Sequence, residues 1–171
     1  VALKIKETND SKEYFCLMFG GPIRSAGTTI ICGMLLAADY VRKNMGYAPY
    51  DPSEQEVKRM VTELYDYHER ITNLQYLPSE EEIEFLMRNL SLQISGDPTE
   101  KVEVSNYKNL PRIETDFIRN GPCLVLGEGL AQKSPKMWVK ISKWKDDFNL
   151  QNWDYINDFV KLQKKIRSKG E

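Results

Sequence analysis

The sequence predicts an α+β fold in which a small sheet, made of an opening hairpin plus a second β region, packs with about five helices. Three patterns carry this reading. Two short β-prone runs flank the polar cluster Glu7-Thr8-Asn9-Asp10-Ser11, two Ser-x-x-Glu capping boxes open amphipathic runs, and apolar residues alternate with polar ones around Gly96-Asp97-Pro98. A length of 171 residues suits a single domain with its own core. A content of 41% apolar and 29% charged residues separates the chain from disordered, collagen-like and membrane sequences.

Residues 1–6 and 13–19 form the hairpin, and the second run ends in Gly20-Gly21-Pro22. From Ser25 to Met45, Ile30, Ile31, Met34, Leu35, Ala37, Ala38 and Val41 recur at helical spacing with almost no charge before Asp39. That predicts a buried helix closed by Gly46. Ser53-Glu54-Gln55-Glu56 starts a helix with Val57, Met60, Val61, Leu64 and Ile71 on one stripe. Ser79-Glu80-Glu81-Glu82 starts another with Ile83, Leu86, Met87 and Leu90. Leu92, Ile94, Val102, Val104 and Ile113 mark the second β region. Cys123 to Gln132 is apolar without a deciding period, so strand and helix both fit. Ser134-Pro135 predicts an N-cap with proline at the first helical position, opening a helix to about Asp146. A last amphipathic helix covers roughly Asn152 to Ile166. By composition the single body divides into a hairpin and glycine-loop helix (1–50), acidic helices (51–90), a β region (91–120) and basic C-terminal helices (121–171).

The net charge of −1 averages three unequal parts. Residues 1–50 carry 6 basic and 4 acidic side chains, residues 51–100 carry 4 and 12, and residues 101–171 carry 14 and 9. The basic end can therefore meet a polyanion although the whole chain has no field that would draw one in. Cys16, Cys32 and Cys123 are odd in number and widely spaced among apolar neighbours, which points to a reducing, cytoplasmic setting. With His68 as the single histidine and no Cys-x-x-Cys pair, the chain alone lacks the usual tetrahedral zinc ligands. No run of about 18 apolar residues and no basic-then-apolar leader is present, so no membrane is expected.

Gly20 to Thr29, between a strand and a helix, suits either a tight structural turn held by Gly21, Pro22 and Gly27 or a loop whose backbone N–H groups meet a phosphate. It is not a P-loop, because Thr28 stands where the phosphate-seeking lysine belongs and Arg24 sits inside the loop. A free-standing nucleotide-binding enzyme therefore has little support. In the helix after Pro135, Met137, Trp138, Ile141 and Trp144 share one arc, with Lys136, Lys140 and Lys143 on the adjacent one. Together with Lys133 these lysines read either as a stripe following a nucleic-acid backbone or as a solvated face over a buried aromatic stripe. His68 falls beside Leu64 and Ile71, as a core or rim histidine does, and no Ser or Cys sits in a nucleophile elbow. Asp146 and Asp147 are adjacent and point about 100° apart, poor geometry for holding Mg²⁺ together. No residue of the chain reads as catalytic or metal-binding.

Several blocks in register carry a resemblance. Gly21-Pro22-Ile23-Arg24-Ser25-Ala26-Gly27-Thr28, Leu74-Gln75-Tyr76-Leu77-Pro78-Ser79-Glu80-Glu81-Glu82-Ile83 and Gly96-Asp97-Pro98-Thr99-Glu100 with Val102-Glu103-Val104-Ser105 are the first three. Leu110-Pro111-Arg112-Ile113-Glu114-Thr115 and Glu128-Gly129-Leu130-Ala131-Gln132-Lys133-Ser134-Pro135-Lys136 follow. Together they resemble consecutive blocks near the N-terminus of the large subunit of the archaeal D-family DNA polymerase, from about Tyr14 to the last helix. The family pattern continues Gly-Gly-Thr-Ala where this chain has Gly27-Thr28-Thr29-Ile30, and a side chain at Thr28 crowds a close backbone approach and disfavours positive φ.

The resemblance implies an early slice of a much longer chain, in keeping with an opening Val1 rather than Met. It implies DNA-directed DNA synthesis during replication by a two-metal nucleotidyl transfer using Mg²⁺, in a heterodimer whose small subunit carries the proofreading exonuclease. The metal-binding aspartates of that family lie outside this segment, which by itself is expected to be inactive and to need no cofactor. The segment corresponds to an accessory region with a KH-like module. On this resemblance it is expected to position DNA or brace the core, with Arg24, Ser25, Gly27, Thr28, Thr29, Lys133, Lys136, Lys140 and Lys143 as expected nucleic-acid contacts. The alternative is a purely structural interaction domain within the heterodimer. The implied partners are DNA, the small subunit and the rest of the large subunit.

Overall fold

The computed structural model describes residues 2–8, 11–20 and 28–170, without the side chains of residues 28 and 29. Strands β1 (Ala2–Glu7) and β2 (Glu13–Phe19) pair antiparallel from Ala2 opposite Met18 to Glu7 opposite Glu13, giving the expected hairpin. Strand β3 (Gln93–Gly96) then joins β2 in parallel, from Cys16 opposite Gln93 to Phe19 opposite Gly96. Strand β4 (Pro98–Glu103) pairs antiparallel with β5 (Phe117–Arg119) in a separate two-stranded sheet. The second β region is thus divided between two sheets, and its last strand lies beyond Ile113. β3 is buried along its whole length and completes the first sheet, whereas β1 is an exposed edge whose Lys4 and Lys6 discourage further pairing.

The described residues form six α-helices, some packed on the strands and the rest on one another. Helix α1 (Thr28–Asn44) ends at Gly46, which takes φ +76° and donates to Lys43 O at 3.1 Å. Helices α2 (Glu54–Asp66) and α3 (Glu80–Asn89) carry complete capping boxes at Ser53/Glu56 and Ser79/Glu82. A π-turn (Tyr67–Ile71) extends α2. Helix α4 (Asn120–Leu124) continues into a π-helical stretch (Val125–Ala131), so the undecided run from Cys123 is helical. Helix α5 (Ser134–Phe148) ends at Asn149 in the left-handed region, and a 3₁₀ turn (Gln151–Trp153) leads into α6 (Tyr155–Gly170).

The start of α5 corrects the expectation for Ser134. Lys133 is the N-cap and makes no side-chain capping bond. Ser134 is fully buried, and its Oγ lies 2.8 Å from Gln163 Oε1 and 3.2 Å from Ala131 O. The hydroxyl turns inward because Gln163, buried on α6, needs partners more than the solvated helix end does.

The core joins Phe15, Leu17 and Phe19 of β2 to Leu35, Leu64, Ile83, Leu86, Leu126, Leu130, Trp153 and Phe159 of the helices. Two buried carboxylates, Asp39 and Glu63, each gather several polar partners. Asp39 of α1 accepts from Arg42 Nε (2.7 Å) and Ser91 Oγ (2.6 Å) on one oxygen, and from Trp153 Nε1 (2.7 Å) and Asn152 Nδ2 (2.9 Å) on the other. Glu63 of α2 holds Arg119 bidentately at 2.9 and 3.0 Å, with Arg59 Nε 3.3 Å away. Cys16, Cys32 and Cys123 are free and buried.

Candidate nucleic-acid interface

Helices α1 and α5 lie side by side and run in the same direction. Near their starts Lys133 and Lys140 act on Cys32, and near their ends Tyr40 meets Phe148 edge-on with ring centroids 5.7 Å apart. One turn further, Lys43 Nζ donates to Asn149 O. Both N-terminal ends, where a helix carries unpaired N–H groups and partial positive charge, therefore sit at the same end of the pair. Lys133 and Lys136 stand there, with Lys140 and Lys143 one and two turns on. Lys136 and Lys143 are exposed; Lys133 and Lys140 are half-buried. Burial pushes the Cys32 thiol up to about 11, and the charges of Lys140 and Lys133 work against that rise.

The stripe beneath the lysines is only partly the buried one expected. Met137 and Ile141 are wholly buried and Trp138 is half-buried, but Trp144 is 44% exposed. Lys143 Nζ lies 5.1 Å from the centroid of the Trp144 ring, a cation–π contact at the surface.

Gly21, Pro22, Arg24, Ser25 and Gly27 lie outside the described residues. Thr28 and Thr29 open α1 in helical backbone. The end of β2 is closely packed. A Cβ on Gly96 would come within 2.5 Å of Phe19 O and 2.9 Å of Gly121 Cα, and one on Gly121 within 2.6 Å of Ser95 O. Strands β2 and β3 and the start of α4 thus meet at backbone contact. On the α1 side, Gly129 lets the π-helical stretch approach so closely that a Cβ there would lie 3.1 Å from Ile31 Cγ2, and Cys32 Sγ–H donates to Gly129 O at 3.4 Å.

His68 is a rim residue whose Nδ1 accepts from Leu74 N at 2.9 Å. Among the described residues no group of three or more His, Cys, Asp or Glu could hold a metal ion, and no helix is long and apolar enough to cross a membrane. The sequence reading missed Asp39, Glu63 and Arg119 as organisers. The available signal was a lone acid in an otherwise apolar helix at Asp39, which is how a paired buried charge presents itself.

A model of the family "DNA polymerase II large subunit DP2, N-terminal" matches residues 1–162. The chain belongs to that family. It is 47% identical over 169 residues to a DNA polymerase II large subunit of Nanoarchaeum equitans and 40% identical over 171 residues to that of Thermococcus kodakarensis, matching 99% and 100% of this chain. The Pyrococcus abyssi large subunit is 40% identical over 165 residues, 95% of this chain. The match spans 14%, 9% and 11% of these relatives' own lengths, so the chain corresponds to the N-terminal region of far longer polypeptides.

Proposed function

We propose that this segment is an accessory region of a replicative DNA-directed DNA polymerase and that it contacts the DNA backbone through the lysine face of α5. The observation that supports this most is the placing of Lys133, Lys136, Lys140 and Lys143 on one helix whose N-terminal end adjoins that of α1. Lysines there neutralise phosphates without reading bases, as a polymerase that works on any sequence requires. Arg24, Ser25, Gly27, Thr28 and Thr29, which precede or open α1 in the sequence, complete the DNA contact in this reading. In this reading the two-metal nucleotidyl transfer belongs to another part of the large subunit, as the family resemblance implies. The DNA, the rest of the large subunit and the small proofreading subunit are its partners, in the cytoplasm.

This proposal is tested by replacing Lys136, Lys140 and Lys143 with Gln and measuring duplex affinity at fixed salt. Weaker binding with unchanged folding supports it, and equal affinity overturns it. A bracing role without DNA contact is favoured by the apolar surface that α1 and α5 leave open, and it predicts equal affinity.

A further inference from the structure

Between α1 and α5 lies an open groove of about 550 Å³ with an almost wholly apolar lining. It is lined by Gly33, Leu36, Ala37, Tyr40, Val41 and Phe148 among others, with Tyr40, Val41 and Phe148 38%, 40% and 43% exposed. The sequence predicts α1 to be a buried helix, since it carries no charged residue from Thr28 to Ala38 and is apolar around its circumference. In the fold one stripe of it faces outward, uncovered among the described residues. A single charged side chain, Lys140, enters the lining; it is half-buried and has no acidic partner among the described residues.

We propose that this groove seats an amphipathic helix from a part of the large-subunit polypeptide outside these 171 residues, with a carboxylate that pairs with Lys140. The inference rests on the family membership and not on the DNA-contact reading. Three observations select this occupant. The relatives' chains are mostly outside the matched region, which covers 9–14% of their lengths, so ample polypeptide exists to fill the groove. The groove is a furrow between two helices with no sheet edge along it, which suits helix-in-groove docking through residues spaced i, i+3, i+4 and i+7. The unpaired Lys140 in an apolar wall asks for a negative charge from the occupant. Stacking of single-stranded bases is a poorer fit. The aromatic rings meet one another at an angle, Tyr40 with Phe148 and Trp144 with Phe148 at 5.9 Å, and Lys143 already covers Trp144.

The test uses the large subunit that carries this chain, with exposed Ala37 replaced by photoreactive p-benzoylphenylalanine and the adduct mapped by mass spectrometry. The expected product is a cross-link within the large-subunit polypeptide to an amphipathic, acid-bearing segment beyond the 171 residues. Lys140→Glu should lower its yield about twofold to fivefold, the factor that one lost surface charge pair carries. The same photoprobe at Val139, 67% exposed and on the opposite side of α5, should not give it. A product of doubled mass, an adduct to DNA, an adduct within the 171 residues, or no adduct at position 37 would each overturn the proposal. The salt dependence of DNA binding by a Lys136→Gln, Lys143→Gln variant, which leaves Lys140 in place, reads the lysine face separately, so the two readings fail independently.

Discussion

Trp153 donates its indole N–H to Asp39 at 2.7 Å, joining the middle of α1 to the turn that follows α5. Neither side chain is exposed to solvent at all, and the bond fixes where the two helices of the candidate interface lie relative to each other.

Burial alone would raise the Asp39 carboxyl, but hydrogen bonds from Ser91, Arg42 and Asn152 outweigh it and hold the group below the usual carboxylate range. The folded pKa thus lies below the unfolded one, so the contribution is complete above about pH 4 and is lost as pH falls through the folded value. Asp39→Asn should cost about 2–4 kcal/mol at neutral pH and flatten the acid limb of the stability curve, as read by urea unfolding across pH 2–7. An acid limb as steep as in the unaltered chain would show that Asp39 is not its source.

Glu63 is the common partner of Arg59 and Arg119, all of them buried. Glu63→Gln removes the one carboxylate between two guanidinium groups. Denaturant unfolding should show a loss of about 3–5 kcal/mol, the range for breaking a buried pair. A loss under 1 kcal/mol would mean that the cluster is effectively solvated.

Where β2, β3 and α4 touch, Gly96 and Gly121 admit no side chain, because the obstructing atoms are backbone. Gly96→Ala should destabilise by about 3 kcal/mol through forced separation of these elements. Gly170→Ala, at a position with open space around it, serves as the control and should be neutral within about 0.5 kcal/mol.

Legibility in the sequence followed the range of the interactions involved. The capping boxes at Ser53 and Ser79 were readable because every atom they use lies within four residues. Ser134, before Pro135, also has a local N-cap signature, but Gln163, 29 positions away, captures its hydroxyl. Cys123 to Gln132 had no deciding period because it is buried on all sides. The pairing of β3 with β2 is non-local and parallel, and nothing near either strand announces it. The lysine face was legible from spacing alone. The open stripe on α1 was not, since an apolar circumference reads as burial whether or not the covering partner is at hand.

The central claim, that the α5 lysines meet DNA phosphates, is tested most directly by the salt dependence of duplex binding between about 50 and 200 mM salt. Changing Lys136, Lys140 and Lys143 to Gln should reduce the slope of log K against log salt by about 0.9 for each lost contact. Changing Lys161, Lys164 and Lys165 on α6 to Gln should leave that slope as it was. An unaltered slope for the α5 variant, or an equal reduction for both, would contradict the account.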